Sequence, residues 1–290
     1  MTFRKVVLSC AVLLLAIAPL AVAQGTYTQI DYPGALETNV WSIDAAGNIA
    51  GYYFDSSGYP HGFQLSGGTY TTIDYPGAQY TRVYGMNDLG QVVGWSDDLG
   101  LGFAYDVQTQ TFTTISYPGA AVTIPTVIND AGAIAGYFGS ASGTAYGFEF
   151  AGSVYRLIVP PGSKGTFALG ITGSGEVVGY AKNRHTSKIF NFRFAHGQYR
   201  EIEIPNAPNA QVGGISDAGA VLVGSYDPPP CCFQAGFIYQ SNTLTTLQFP
   251  GGNNTYVADI NVAGEAVGTF ALNGGQHGFT WTPPTDAGKK

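Results

Sequence analysis

Apolar and polar positions along this chain fall into short alternating runs of roughly five to seven residues, separated by turn residues. In one stretch the runs are Tyr70–Asp74, Thr81–Met86, Gln91–Trp95 and Gly102–Asp106. Threonines and aromatics dominate the first run, and both suit the pleated, half-buried surface of a sheet. No run carries a 3.6-residue apolar period over a helical length, so the pattern predicts strands and no helix. Between the second and third runs stands Asn87-Asp88-Leu89-Gly90. Asn and Asp start turns by bonding nearby backbone, and Gly supplies positive φ, so these two runs read as a hairpin.

The group of four runs recurs six times, at a period of about 43 residues. Copies start near Tyr27, Tyr70, Phe112, Tyr155, Tyr199 and Leu244. The first three openings end in Tyr32-Pro33-Gly34, Tyr75-Pro76-Gly77 and Tyr117-Pro118-Gly119, while Asn206 replaces the glycine in copy five. The hairpin turn returns at Asp44–Gly47, Asn129–Gly132, Ser216–Gly219 and Asn261–Gly264. Four residues beyond the turn glycine stands a second one, at Gly51, Gly94, Gly136, Gly179 and Gly268. In copy five, Gly224 comes one residue later, which predicts a bulge in that strand. A glycine inside a strand marks close backbone approach, expected here from crowding near a central axis or against the next sheet. The fourth run opens with Gly-Phe at 62, 102, 147, 236 and 278, and with Asn191-Phe192 in copy four. A ring at one fixed place in every copy reads as core between neighbouring sheets.

Six four-stranded sheets bury their faces only against one another, and a radial ring leaves short edges. The expected fold is therefore all-β: a six-bladed β-propeller of four-stranded blades. A β-solenoid is the runner-up, but its rungs repeat at shorter intervals. The long Tyr-Pro-Gly links suit the step from the outer edge of one blade to the inner strand of the next. A blade is then runs two to four of one copy plus run one of the following copy. Tyr27–Asp31 is left over, and is expected to close the ring as the outer strand beside Gly278–Trp281.

The motif around the hairpin resembles the bacterial HAF extracellular repeats, with their Gly-Ile-Asn-Asp-x-Gly-x-Val-Val-Gly core followed by His-Ala-Phe. Gly85 to Gly94 follows that core closely, and Ile128–Gly132 and Gly170–Thr172 follow it in part. The closing triad departs from it as His61-Gly62-Phe63 and His277-Gly278-Phe279. The resemblance implies an exported bacterial protein and does not imply an activity.

The N-terminus supports export. Arg4 and Lys5 precede an apolar stretch from Val6 to Leu20 and the small residues Ala21-Val22-Ala23. That is the layout of a secretory signal peptide over residues 1–23, too short for the roughly 20-residue membrane span. Residues 24–284 are read as one propeller domain and 285–290 as a tail, with no membrane anchor after cleavage. The destination is the periplasm or the cell exterior. Net charge is −7, which disfavours nucleic acid, whose affinity rests on basic phosphate contacts. Adjacent Cys231 and Cys232 read either as a vicinal disulfide in an oxidising compartment or as two loop residues without a redox role.

Two loops depart from the repeat. Lys182–Lys188 is the most basic stretch of the mature chain, and Tyr226–Phe233 is stiffened by three prolines. Neighbouring copies make neighbouring blades, so Lys182, Arg184, His185, Lys188, Tyr226 and Asp227 form the candidate ligand site, suited to an acidic sugar or carboxylate. The competing reading is two drifted loop insertions. No catalytic residues, cofactor or metal are assigned. Calcium wants about six to eight oxygens, more than these turns offer, and the four histidines lack ligand spacing. Glu37, Glu149, Glu176, Glu201, Glu203 and Glu265 contain no evident acid–base pair, and Glu201 and Glu203 are expected to face solvent. The leading expectation is a monomeric, non-catalytic binding or scaffold propeller for an extracellular glycan or protein partner, with exposed tyrosines as sugar contacts. The alternatives are a secreted glycan hydrolase or lyase with acids converging at the channel mouth, and a structural or adhesive surface protein.

Overall fold

A computed structural model describes residues 25–230 and 233–284. The signal-peptide reading, the Cys231–Cys232 pair and the C-terminal tail lie outside the described residues. The chain forms six four-stranded antiparallel sheets arranged as a propeller. The first blade runs outward through Glu37–Ile43, Ile49–Phe54, Pro60–Ser66 and Thr69–Ile73. The second does so through Thr81–Met86, Gln91–Ser96, Leu101–Asp106 and Thr111–Ile115. Innermost strands of the next four blades are Val122–Ile128, Ser163–Ile171, Gln211–Ile215 and Asn253–Ile260. The expected phase holds. The N-terminal strand Thr26–Ile30 is the outer strand of the sixth blade, with Tyr27 opposite Trp281 and Ile30 opposite Gly278. This pairing locks the two ends of the described chain into one sheet and closes the ring.

The repeated phenylalanine is the core of each blade junction. Phe63, Phe103, Phe148, Phe192, Phe237 and Phe279 are all 0–1% exposed. Each such burial stabilises by about 1.5–3 kcal/mol. The glycine before it lets the next blade in: a methyl group at Gly62 would lie 2.7 Å from Val83, and one at Gly236 2.7 Å from Val257. Where copy four has Asn191 instead, the side chain becomes a polar bridge. It donates to the Ala210 carbonyl at 2.9 Å and accepts the Val212 N–H at 2.8 Å.

Every innermost strand carries a β-bulge at the same place. The register slips between Val40 and Ser42, and likewise at Val83/Gly85, Pro125/Val127, Ala168/Gly170, Val212/Gly214 and Val257/Asp259. The glycine of the second strand pairs with the residue just before the bulge, as Gly94 does with Val83. A side chain at Gly94 would strike the Arg82 carbonyl and come within 2.6 Å of the Phe103 ring. The crowding that requires glycine is thus against the inner strand of its own blade, rather than against the axis or the next sheet. The bulge expected at Gly224 is also corrected. Its second strand pairs regularly on both sides apart from the bulge all blades share, and the extra residue sits in the turn. There the Ser216 N–H reaches the Val221 carbonyl, where the Asp44 N–H reaches Asn48.

The Asn of the turn motif has two tasks. Asn87 Oδ1 accepts the Leu89 and Gln91 N–H groups, holding its own turn. Its Nδ2 donates to the Asn129 carbonyl of the next blade at 3.1 Å. Asn129 donates in the same way to Thr172, and Asn261 to Asp44. On the opposite face, the Tyr-Pro-Gly links are pinned by backbone donation to a threonine, as from Tyr32 to Thr38 and from Tyr75 to Thr81. Tyr32 stacks on Tyr53 at 3.6 Å and bonds Thr72, while Tyr117 stacks on Phe138 at 3.8 Å. These tyrosines are half-buried packing elements of the links. His61 and His277 play matching parts, each with Nδ1 on the aspartate that follows the outer strand, at 3.0 Å from Asp74 and 2.8 Å from Asp31.

The second-strand glycine is open to a direct test. Gly94→Ala should destabilise the fold by about 2–4 kcal/mol, because neither the carbonyl nor the ring can move freely. Urea unfolding measures it, and a loss under about 0.5 kcal/mol would refute the crowding argument.

Candidate functional site

The bulge sets what the six inner strands show to the axis. The bulged residue is Trp41, Tyr84, Thr126, Leu169, Gly213 or Ala258, a column that varies from blade to blade. These positions surround a cavity of about 140 Å³, open on the face that carries the innermost hairpins. Aromatic side chains form its deep end: Trp41 meets Tyr84 edge-on at 5.4 Å and Tyr256 at 5.7 Å. Tyr137 also lines it and packs against Phe167 at 5.0 Å. Gly213 leaves the room that the Tyr256 hydroxyl occupies, since a Cβ there would displace that ring. Burial pushes the Tyr84 and Tyr256 phenols far above their ordinary range and Tyr137 up to about 12, so all three stay neutral.

Beneath this floor Arg82 lies 5.2 Å from the Tyr52 ring centre and 5.9 Å from that of Trp95, and is ion-paired to Asp97 at 2.9 Å. Burial raises the Asp97 pKa more than Arg82 lowers it. The rim of the cavity carries Asp88, Asp130 and Asp217. Asp88 accepts the Ala45 N–H at 2.7 Å, and Asp130 accepts the Asp88 N–H at 2.9 Å, so both also bind adjacent blades together.

One carboxylate lies in the wall itself. Asp259 follows the bulge of the sixth blade, where the other blades have Ser42, Gly85, Val127, Gly170 and Gly214. It accepts the Ser42 hydroxyl at 2.8 Å, the Ile43 N–H at 3.1 Å and the Ile260 N–H at 2.8 Å. Burial outweighs these donors and raises its pKa to about 6. Among the described residues no three His, Cys, Asp or Glu side chains cluster as metal ligands.

The loops singled out from sequence lie on the other face of the propeller, with the Tyr-Pro-Gly links. Lys182, His185 and Lys188 are exposed. Arg184 reaches the Ser163 carbonyl at 3.4 Å, and Asn183 holds the turn by accepting the His185 and Thr186 N–H groups. Tyr226 is 3% exposed with its hydroxyl on Thr246 at 2.7 Å, so it faces the core and offers no ligand contact. Asp227 accepts from Asn209 at 3.0 Å. Glu149 and Glu176 do approach one groove, but each is ion-paired, to Arg156 at 2.8 Å and to Arg193 at 3.1 Å. Glu201 and Glu203 are exposed, as their alternation suggested. Sequence reasoning missed the channel residues because each looks like an ordinary strand residue. The signal was a pair of adjacent columns that vary between copies, the bulge position and the one after it, with a single acid at 259.

Fold and cavity together define a six-bladed propeller with an aromatic-floored pocket at one channel mouth. No family model and no curated protein matches the sequence. Solved structures do resemble it. TolB from Acinetobacter baumannii is 14% identical with a TM-score of 0.57, over 84% of this chain and 65% of that one. The chain therefore spans just under two thirds of that protein. A gluconolactonase from Xanthomonas campestris is 12% identical with a TM-score of 0.55, covering 87% and 88% of the two chains. Regucalcin from Agrobacterium tumefaciens, described as calcium-binding, is 12% identical with a TM-score of 0.54, covering 91% and 97%. At these identities the likeness is one of fold.

The Asp259 carboxyl is expected to titrate near pH 6. Its folded pKa lies above the ordinary carboxylate value, so the folded state binds the proton more tightly. Its contribution to stability therefore falls as pH rises from about 4 to about 6, by at most about 3 kcal/mol. Carboxyl ¹³C NMR reads the midpoint directly, and a value below the ordinary carboxylate pKa of about 3.8 would show that the donors outweigh burial.

Proposed function

We propose that this chain is an exported binding propeller that receives a small ligand head group in the channel mouth on the inner-hairpin face. The observation that carries this reading is the pocket itself. It is concave, walled by all six innermost strands, mostly apolar, and furnished with a few fixed polar groups, the usual anatomy of a small-ligand site. Its 140 Å³ falls below the roughly 300–1,000 Å³ of pockets that enclose drug-sized molecules. A head group fits it better than a length of glycan. The two acids at the mouth that bridge blades are already engaged, and among the described residues Asp259 stands without a second carboxylate in the wall. That favours binding over acid–base hydrolysis, which needs two cooperating carboxyls. The HAF-like repeats and the signal-peptide layout support a periplasmic or extracellular location.

Two measurements test the reading. Ala45 is exposed at the cavity mouth, so Ala45→Trp should block entry without touching the core. In a ligand-observed NMR screen of neutral, anionic and cationic fragments, at least one binder should lose about tenfold or more in affinity with Ala45→Trp, at unchanged Tm. Binders that ignore the variant, or no binders at all, would overturn the channel site. For export, chain recovered from the periplasm or medium of expressing bacteria should begin at Gln24. Recovery only of the uncleaved chain in the cytoplasm would refute it.

A further inference from the structure

We propose that the channel mouth selects organic cations: an ammonium head seated against the Trp41 and Tyr84 rings, beside the Asp259 carboxylate. This rests on the channel reading above and adds the charge class of its ligand.

Among the described residues, the lining of the cavity contains no Lys, Arg or His. It contains four aromatic rings and the four aspartates 88, 130, 217 and 259. Aromatic faces carry a negative quadrupole that attracts a cation, more strongly where water is excluded. Trp41 and Tyr84 stand 79° apart, so they are not stacked on one another as Tyr32 and Tyr53 are at 6°. An anion would meet four carboxylates and no counter-charge. A neutral ligand would leave the charge of Asp259 as it is.

Asp259 carries most of the argument. Five other blades complete the same bulge with Ser, Gly or Val, so the fold does not require an acid there. Its three donors are two N–H groups and a hydroxyl, which orient the carboxylate without neutralising it. Arg82, which interacts with Tyr84 from below, lies outside the cavity lining and is ion-paired to Asp97. An ionised group in so poorly solvated a place gains from a cation brought by a ligand. The groups facing Asp259 are Asp88 from the second blade, which raises its pKa further, the neutral Tyr256 and the Ser42 hydroxyl. No basic side chain of the described lining opposes it. Cation binding should therefore weaken as pH falls through about 6, when the carboxyl takes up its proton.

Isothermal titration of the purified chain with choline and with its neutral isostere 3,3-dimethylbutan-1-ol tests this. At about pH 7.5 choline should bind at least about tenfold more tightly, and the preference should shrink toward pH 5. Ala45→Trp should abolish it, and Trp41→Leu should weaken it about tenfold, with Tm read in parallel because Trp41 also packs. Asp217→Asn, at an exposed turn, leaves folding aside and should weaken choline about two- to threefold. N-acetyl-lysine methylamide is the second arm: tighter binding than choline assigns the cation to a partner protein's lysine, weaker binding to a free small molecule. Equal affinity for choline and the neutral alcohol, or no choline binding, overturns the charge preference. In either case a neutral or anionic fragment displaced by Ala45→Trp would leave the channel site standing, while the loss of both would sink the two readings together.

Discussion

Six sheets can meet at one axis only if each inner strand lies close to its own second strand and to the next blade at once. The structure meets that demand with a bulge in every inner strand and a glycine opposite it. The bulge bends the strand and raises its twist, and the glycine lets the bent backbone press against its partner. The Gly-Phe pair then does the matching work at the junction: the glycine admits the inner strand of the next blade, and the ring fills the space behind it. Ring closure by Thr26–Ile30 completes this arrangement by pairing the start of the described chain with its last strand.

The same geometry decides where variation is tolerated. Positions that touch a neighbouring blade recur in nearly every copy, because each junction poses the same packing problem. A residue at the bulge projects toward the axis, where it meets a different set of side chains in each blade. The channel therefore has no need to be sixfold symmetric. Trp41 and Tyr84 occupy adjacent blades, and the missing side chain at Gly213 makes room for the Tyr256 hydroxyl. An asymmetric pocket inside a symmetric frame is what a repeat protein needs in order to recognise a ligand that is not itself symmetric.

Much of the frame is legible in the amino-acid sequence itself. The period, the phase of the blades, the closing strand and the buried phenylalanines each follow from a pattern repeated six times, and repetition averages away local ambiguity. The site is not legible in that way. Departures in loop length and charge point to Lys182–Lys188 and Tyr226–Asp227, yet Tyr226 turns inward onto Thr246. The tyrosines of the links look exposed because they precede Pro-Gly turns, but stacking on the second strand holds them down. Glycine spacing in copy five suggests a bulge, since an extra residue in a turn and one in a strand shift the next glycine equally. Trp41 and Asp259 give no local sign, as both sit inside alternating strand runs. Only comparison of two adjacent columns across the six copies, the bulge position and the one after it, singles them out.

Asp259 shows what such a column can carry. A carboxylate held deep in a protein loses much of its hydration, and its raised pKa measures the part that three donors fail to restore. Those donors are divided between both oxygens, with Ser42 and Ile43 on one and Ile260 on the other. An asparagine would set its own N–H₂ against one of them, so amide and carboxylate are not interchangeable at this point. Neither is the acid needed to close the bulge, which five blades complete without it. A group that opposes stability near neutral pH, is oriented by three donors, and faces a cavity floored with aromatic rings has the properties that the proposed binding role requires.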